Sequence, residues 1–116
     1  MNTRKNKSIL QKDINHCYLC GDEEWEHYQG LEEHHIFYGR GKRSLSDKYG
    51  LVVYICSKKC HREGPEAVHR KPNGKNDKKL KRDGQKAFEY KWVIDHGGTF
   101  EQARGEFMKL FGKNYL

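Results

Sequence analysis

The sequence lacks long apolar stretches and is poor in hydrophobic residues. They occupy 34% of its 116 positions. In ordinary domains the apolar residues, a set that includes glycine but not tyrosine, make up roughly 45–50% of the chain. The apolar fraction of this chain is lower than that by the same definition. A chain of this length is expected to form one domain and to bury only about two thirds of its unfolded surface. We therefore expect a thin core that needs stabilisation from something besides apolar burial.

The sequence also shows no segment typical of a membrane span or of a secretion signal. No run approaches the ~20 apolar residues of a membrane span, and the opening residues 1–5 are polar and basic rather than a signal sequence. We expect a soluble cytoplasmic protein with no membrane partner. In that reducing compartment, cysteine pairs are metal ligands more often than disulfides.

Charge is unevenly distributed along the chain. The net charge is +7, yet residues 22–33 contain six acids and no lysine or arginine, whereas residues 70–91 contain nine bases and three acids. Such segregation favours a basic face and a polyanionic partner such as DNA.

The order of apolar and turn-forming residues predicts an α+β fold. Residues 1–14 are expected to be a flexible basic arm, and residues 15–116 one domain without internal repeats. Two β-prone runs, at 31–38 and 51–55, predict antiparallel strands. The glycine-rich, cationic segment 39–44 between them predicts a mobile loop.

Helices are predicted after the second strand. Ser57 is suited to cap a short helix that Gly64 should stop. Carboxyl-terminal helices are expected over about 77–111, one at about 77–95 and one at 100–111. The second should be opened by the capping box Thr99-Phe100-Glu101-Gln102 and closed by Gly112.

Four cysteines form two chelating pairs, Cys17-x2-Cys20 and Cys56-x3-Cys60. Four thiolates satisfy a tetrahedral Zn2+, and such a structural site can supply ~10–16 kcal/mol of apparent binding energy. That would compensate for a thin core. The alternative is that Cys56 merely packs in its strand and that only Cys17 and Cys20 share a partner.

Histidines supply a second constellation, Glu33-His34-His35-Ile36 in the first strand and Cys60-His61 in the short helix. Adjacent strand residues point to opposite faces, so His34 and His35 should have different tasks, one binding metal and the other acting on water. His61 can complete the metal site. A lone histidine usually has a structural role. The His34-His35 pair together with Cys60-His61 is a more specific indication of a functional site.

These motifs resemble those of the HNH nucleases, and more closely the small HNH proteins of phages and prophages. The resemblance covers most of the chain: Cys17-Tyr18-Leu19-Cys20, Glu33-His34-His35-Ile36-Phe37, residues 49–56, residues 60–65, Val68-His69, Phe107 and residues 111–116. It implies a ββα-metal core at about 31–64. It also implies a metal-dependent endonuclease that hydrolyses DNA phosphodiester bonds by nicking or double-strand cleavage, acting in a bacterial host cell.

The resemblance also implies roles for individual residues. By position, His34 and His61 would ligate the catalytic ion, His35 would be the general base, and His69 would be a further ligand or a phosphate contact. The expected catalytic ion is Mg2+ or Mn2+, and a mainly imidazole site should also accept Ni2+ or Co2+. The candidate phosphate contacts are basic: Arg40, Lys42, Arg43 and Arg62.

One departure from the family pattern concerns its middle asparagine. Val52 stands at the corresponding position, and residues 39–60 contain no asparagine. The family asparagine mainly braces a loop, so either Tyr49 or Asp47 braces instead or the site is degenerate.

Two other classes of function compete with a nuclease. A zinc-stabilised DNA-binding module without catalytic activity would need the cysteines and the basic helix but not His35. A protein-interaction module would need neither salt-sensitive DNA binding nor a catalytic ion.

Overall fold

Two antiparallel strands, three α-helices and one short π-helix are found in residues 5–24 and 30–116, the part of the chain that the computed structural model describes. In chain order they are β1 (Leu31–His35), α1 (Lys42–Tyr49), β2 (Val52–Cys56), the π-helix (Ser57–Arg62), α2 (Lys75–His96) and α3 (Phe100–Phe111). The predicted α+β class is confirmed. Residues 1–4 of the predicted arm and Glu26 of the acidic segment lie outside the described residues.

The two strands pair so that Leu31 faces Cys56 and His35 faces Val52. Every residue of β2 is buried, which is typical of a strand covered on both faces. In β1 only Leu31 and His34 are buried. The half-exposed side chains of β1 therefore supply polar groups to the surface beside a buried strand.

Helix α1 lies where the sequence predicted a loop. The prediction of a mobile loop at 39–44 was wrong for its second half, because α1 begins at Lys42. The hydroxyl of the buried Ser46 donates to the Phe37 carbonyl at 2.7 Å and accepts from the Phe37 amide at 3.0 Å. These bonds tie α1 to the end of β1, and a charged segment with few apolar residues gives little sign of them in sequence.

Residues 5–14, the described part of the predicted arm, lie along β2. The side-chain oxygen of the buried Gln11 accepts a hydrogen bond from the Tyr54 amide at 2.8 Å, and the Ile9 amide donates to the Gly50 carbonyl at 2.9 Å. A β-carbon at Gly50 would lie 2.7 Å from the Lys7 carbonyl oxygen, so glycine permits this close approach. The segment covers the free edge of β2.

Helix α3 packs on the segment that follows β1 through aromatic rings. Phe37 lies with its ring centroid 5.3 Å from that of Phe107 and 4.7 Å from that of Phe111. The predicted capping box at Thr99 and Gln102 is confirmed. Among the described residues, none of the helices combines the length and the apolar character that crossing a bilayer requires.

Candidate metal centres

The four cysteines come together from two separate parts of the chain. Cys17 and Cys20 lie in a tight turn, Cys56 ends β2, and Cys60 lies in the π-helix. Their four sulfur atoms are all within 4.8 Å of one another, and those of Cys20 and Cys56 are 3.9 Å apart. Zinc–sulfur bonds of ~2.3 Å in a tetrahedron place sulfurs ~3.8 Å apart. The cluster therefore has the size of a tetrahedral metal site, and Cys56 belongs to it.

Hydrogen bonds and burial act differently on the thiols of Cys17, Cys20 and Cys60. The Cys60 thiol and the backbone amides of Cys20 and Cys56 donate to the Cys17 sulfur and lower the pKa of Cys17 to about 4. Burial raises the pKa of Cys20 to about 12, and hydrogen bonding to Cys17 together with burial raises that of Cys60 further. Four thiolates at this spacing need a cation to offset their mutual repulsion, which is what a bound metal provides.

Three histidines form a second cluster. One ring nitrogen of each of His34, His61 and His69 lies within 4.8 Å of the others. His34 comes from β1 and His61 from the π-helix. The chain turns back after the π-helix, and the His69 amide donates to the His61 carbonyl at 3.0 Å. That bond puts the His69 and His61 rings side by side, with centroids 4.5 Å apart.

The His34 ring is the most enclosed part of this cluster. His34 is 2% exposed, and its Nε2 atom is buried with no hydrogen-bond partner among the described residues. Burial, with smaller contributions from the charges of His61 and His69, lowers the pKa of His34 to about 3. Burial also lowers the pKa of His69. Both rings are held neutral, which is the form that ligates metal.

Glu32 fixes the orientation of the third ring. Its carboxylate accepts from Nδ1 of His61 at 2.8 Å and from the Arg62 guanidinium at 3.0 and 3.2 Å. The hydrogen bond from Arg62, aided by that from His61, lowers the pKa of Glu32 to about 2. A carboxylate only accepts, so Nδ1 of His61 carries a proton, and in the neutral form of the ring Nε2 is the atom that can ligate a metal.

His35 belongs to a different group of side chains from His34. Its Nε2 atom is 3.3 Å from the Asp47 carboxylate and 3.5 Å from that of Glu33. Lys7 completes the group, with its ammonium nitrogen 2.9 Å from the Asp47 carboxylate. Asp47 is presented by α1, so the element that the sequence analysis missed supplies a contact to His35.

Both histidines of the pair nevertheless line one open cleft of about 350 Å³. Its lining side chains are Glu32, Glu33, His34, His35, Tyr38, Arg43, His61, Arg62 and His69. Of the four basic candidates from the sequence, Arg43 and Arg62 are in this cleft, and Arg40 and Lys42 are not. Arg62 is already paired with Glu32. Arg43 also lines the neighbouring cleft at Asp47 and is the better placed cation.

Sequence analysis did not identify Glu32 or Tyr38 as site residues. Alternation along β1 puts Glu32 on the same side as His34, and this signal could have found it. The Tyr38 ring lies 5.8 Å from the His34 ring and 5.9 Å from that of His69, and its hydroxyl donates to buried Asp77 at 3.1 Å. Asp77 follows Tyr38 by 39 residues, so no local pattern links them.

Comparison of the chain with protein-family models, with curated proteins and with solved structures finds no match. Functional assignment therefore depends on the geometry and chemistry of the two clusters and of the cleft.

Proposed function

We propose that this chain is a metal-dependent DNA endonuclease of the HNH type. The observation that carries the proposal is the cleft in which three imidazole side chains meet beside His35. The order of β1, β2 and the π-helix agrees with a ββα-metal core over about 31–64. The four-cysteine cluster would be a structural Zn2+ site that joins the turn at Cys17 to the end of β2.

The histidine cluster suits a catalytic divalent ion. It offers three imidazole donors within 4.8 Å, and the buried Nε2 of His34 has no partner among the described residues. Three protein ligands leave positions open for water and substrate, as catalytic sites require. Imidazole donors accept Mn2+, Ni2+ or Co2+ well, and Mg2+ less readily. A bound ion would polarise the scissile phosphate and stabilise the departing 3′-oxygen.

His35 is the proposed general base. Asp47 can only accept a hydrogen bond, so Nε2 of His35 carries the ring proton and Nδ1 is left to take a proton from water. Asp47 acts as a positioning residue that fixes this tautomer. Asp47 would thus replace the bracing role of the family asparagine. It would brace the general base, His35, whereas the family asparagine braces a loop.

DNA is the proposed substrate because of phosphate chemistry and charge. Arg43 extends into the cleft from α1 and is proposed to contact a phosphate near His35. Arg62 is proposed to orient Glu32 and, through it, His61. The net charge of +7 predicts binding that weakens steeply with salt.

Plasmid cleavage tests the proposal. The wild-type protein should nick or linearise a plasmid with Mn2+ or Mg2+ and not with a chelator present. His35→Ala should lose cleavage by ~10²–10⁴-fold, the contribution of general-base catalysis, and should still bind the ion. If His35→Ala binds DNA and cleaves it as the wild type does, the chain is not an HNH nuclease.

Titration of Mn2+ separates the two adjacent histidines. His34→Ala should weaken ion binding as well as cleavage, and excess Mn2+ should partly restore the activity. Normal ion affinity in His34→Ala, with weakened binding in His35→Ala, would show that the assignments are reversed. DNA binding without cleavage under every metal condition would favour a zinc-stabilised DNA-binding module.

A further inference from the structure

A second concave surface, separate from the histidine cleft, is lined by four cationic side chains among eight residues. This basic pocket of about 200 Å³ lies between the start of α2 and residues 113–116. Its lining residues are Asn73, Lys78, Lys81, Arg82, Lys113, Asn114, Tyr115 and Leu116. Four are cationic, and no acidic side chain is among them.

Most of the positive charge in the basic pocket is uncompensated. Lys81 is only 13% exposed and pairs at 3.1 Å with buried Asp77. Lys78, Arg82 and Lys113, by contrast, form no ion pair with a carboxylate of the described residues. Three exposed positive charges therefore line one small concavity, an arrangement that attracts anions.

The wall of the basic pocket is held in place by a buried glutamine. Gln85 is fully buried on α2, accepts from the Tyr115 amide at 2.7 Å and donates to the Asn114 side-chain oxygen at 2.9 Å. The amide of Leu116 donates to that same oxygen at 3.1 Å. The Asn114 oxygen is thus occupied, and its Nδ2 group remains as a donor without a partner among the described residues.

The basic pocket is one aromatic ring away from the histidine cleft. The Lys81 ammonium lies 4.9 Å from the centroid of the Tyr38 ring. Tyr38 also lines the cleft that contains His34 and His35. The contact between Lys81 and Tyr38 therefore links the two concavities, and a polymer that carries several phosphates is the kind of ligand that could reach both.

We propose that the basic pocket is a phosphate subsite that holds a DNA backbone phosphodiester some distance from the one that is cut. Arginine, lysine and an amide donor are the groups that bind phosphate oxygens in DNA-binding proteins. That the polymer is DNA rests on the proposed nuclease function. That the pocket binds a phosphate rests only on its lining residues. Inorganic phosphate shares this chemistry and is the alternative source of the anion.

The test compares two double variants that lose the same charge. Arg82→Ala with Lys113→Ala removes two exposed cations of the basic pocket. Lys12→Ala with Lys109→Ala removes two exposed cations that line none of the concave surfaces described. Duplex DNA affinity is measured against salt in a His35→Ala background, so that turnover does not interfere. The pocket variant should lose ~0.9 from the slope of log affinity against log salt, as expected for one phosphate contact, and the control should lose much less.

A titration with inorganic phosphate supplies a second arm. The amide NMR signals of Asn73, Lys113 and Asn114 should shift with phosphate in the wild type and the control but not in the pocket variant. If both double variants lose the same amount from the slope of log affinity against log salt, the proposal is overturned, because DNA then responds to the overall positive charge and not to the basic pocket. Phosphate shifts without any slope difference would assign the site to free phosphate and overturn the DNA assignment. Failure of the wild type to cut DNA would refute the nuclease alone, since both arms are binding measurements.

Discussion

Glu32 is the residue on which the geometry of the histidine cluster depends most directly. Its carboxylate holds Nδ1 of His61 at 2.8 Å and is itself held by Arg62. Partners of this kind behind a ligating histidine fix its tautomer and increase its basicity, and their loss costs ~10–100-fold in metal affinity. Glu32 can be substituted without removing any of the three proposed metal ligands, His34, His61 and His69.

Glu32→Ala should therefore weaken Mn2+ binding by ~10–100-fold, measured by calorimetric titration of protein whose cysteine site is already loaded. Glu63→Ala is the matched control because Glu63 is exposed and close in sequence to Arg62. The control should bind Mn2+ like the wild type. Equal affinity in Glu32→Ala and the wild type would mean that His61 is not a ligand or does not need its partner.

At the scale of secondary-structure elements, α1 is the least expected part of the fold and carries both Asp47 and Arg43. One buried hydroxyl, that of Ser46, attaches it to the segment just after β1 by satisfying both backbone groups of Phe37. The contact of Asp47 with His35 joins α1 directly to β1. A small change at Ser46 should therefore be felt at His35, which β1 presents to α1.

Ser46→Ala should lower the free energy of unfolding by about 1–3 kcal/mol, because it leaves a buried amide and a buried carbonyl unpaired. Ser44→Ala, on the exposed side of the same helix, should change it by less than about 0.5 kcal/mol. Urea denaturation of both variants measures the difference. If the two substitutions cost the same, the bonds to Phe37 do not hold α1 in place.

For the whole molecule, the four-cysteine cluster is expected to decide whether the chain folds. It joins the turn at Cys17 to β2 and the π-helix, segments about forty residues apart in sequence. A structural zinc contributes ~10–16 kcal/mol of apparent binding energy, as much as the entire stability of an ordinary domain, ~5–15 kcal/mol. A chain with a thin core is therefore expected to depend on it.

Purified protein should contain one zinc ion that survives mild chelation, and Cys60→Ser should lose both the zinc and the cooperative unfolding transition. His34→Ala is the control, since it alters the other cluster and should retain the zinc. Metal analysis and circular dichroism report the two outcomes. Rapid reaction of all four thiols in the folded protein with a thiol reagent would show that no metal protects them.

The sequence by itself determined the features that depend on short spacing. Two cysteines separated by two or three residues can face one ion whatever the rest of the chain does, and all four indeed lie together. The capping box at Thr99 and Gln102 is equally local, because its two hydrogen bonds join residues three positions apart. Alternation in a strand likewise separates His34 from His35 without reference to any other element.

Only the tertiary structure decided which distant side chains join these local groups. His69 lies beside His61 because the chain reverses after the π-helix and the His69 amide donates to the His61 carbonyl. Asp47 lies near His35 because Ser46 ties α1 to β1. Lys113 lies beside Arg82 because Gln85 binds the backbone and side chains of the last residues. Each placement depends on hydrogen bonds between different elements or loops, and these bonds form only once the chain has folded.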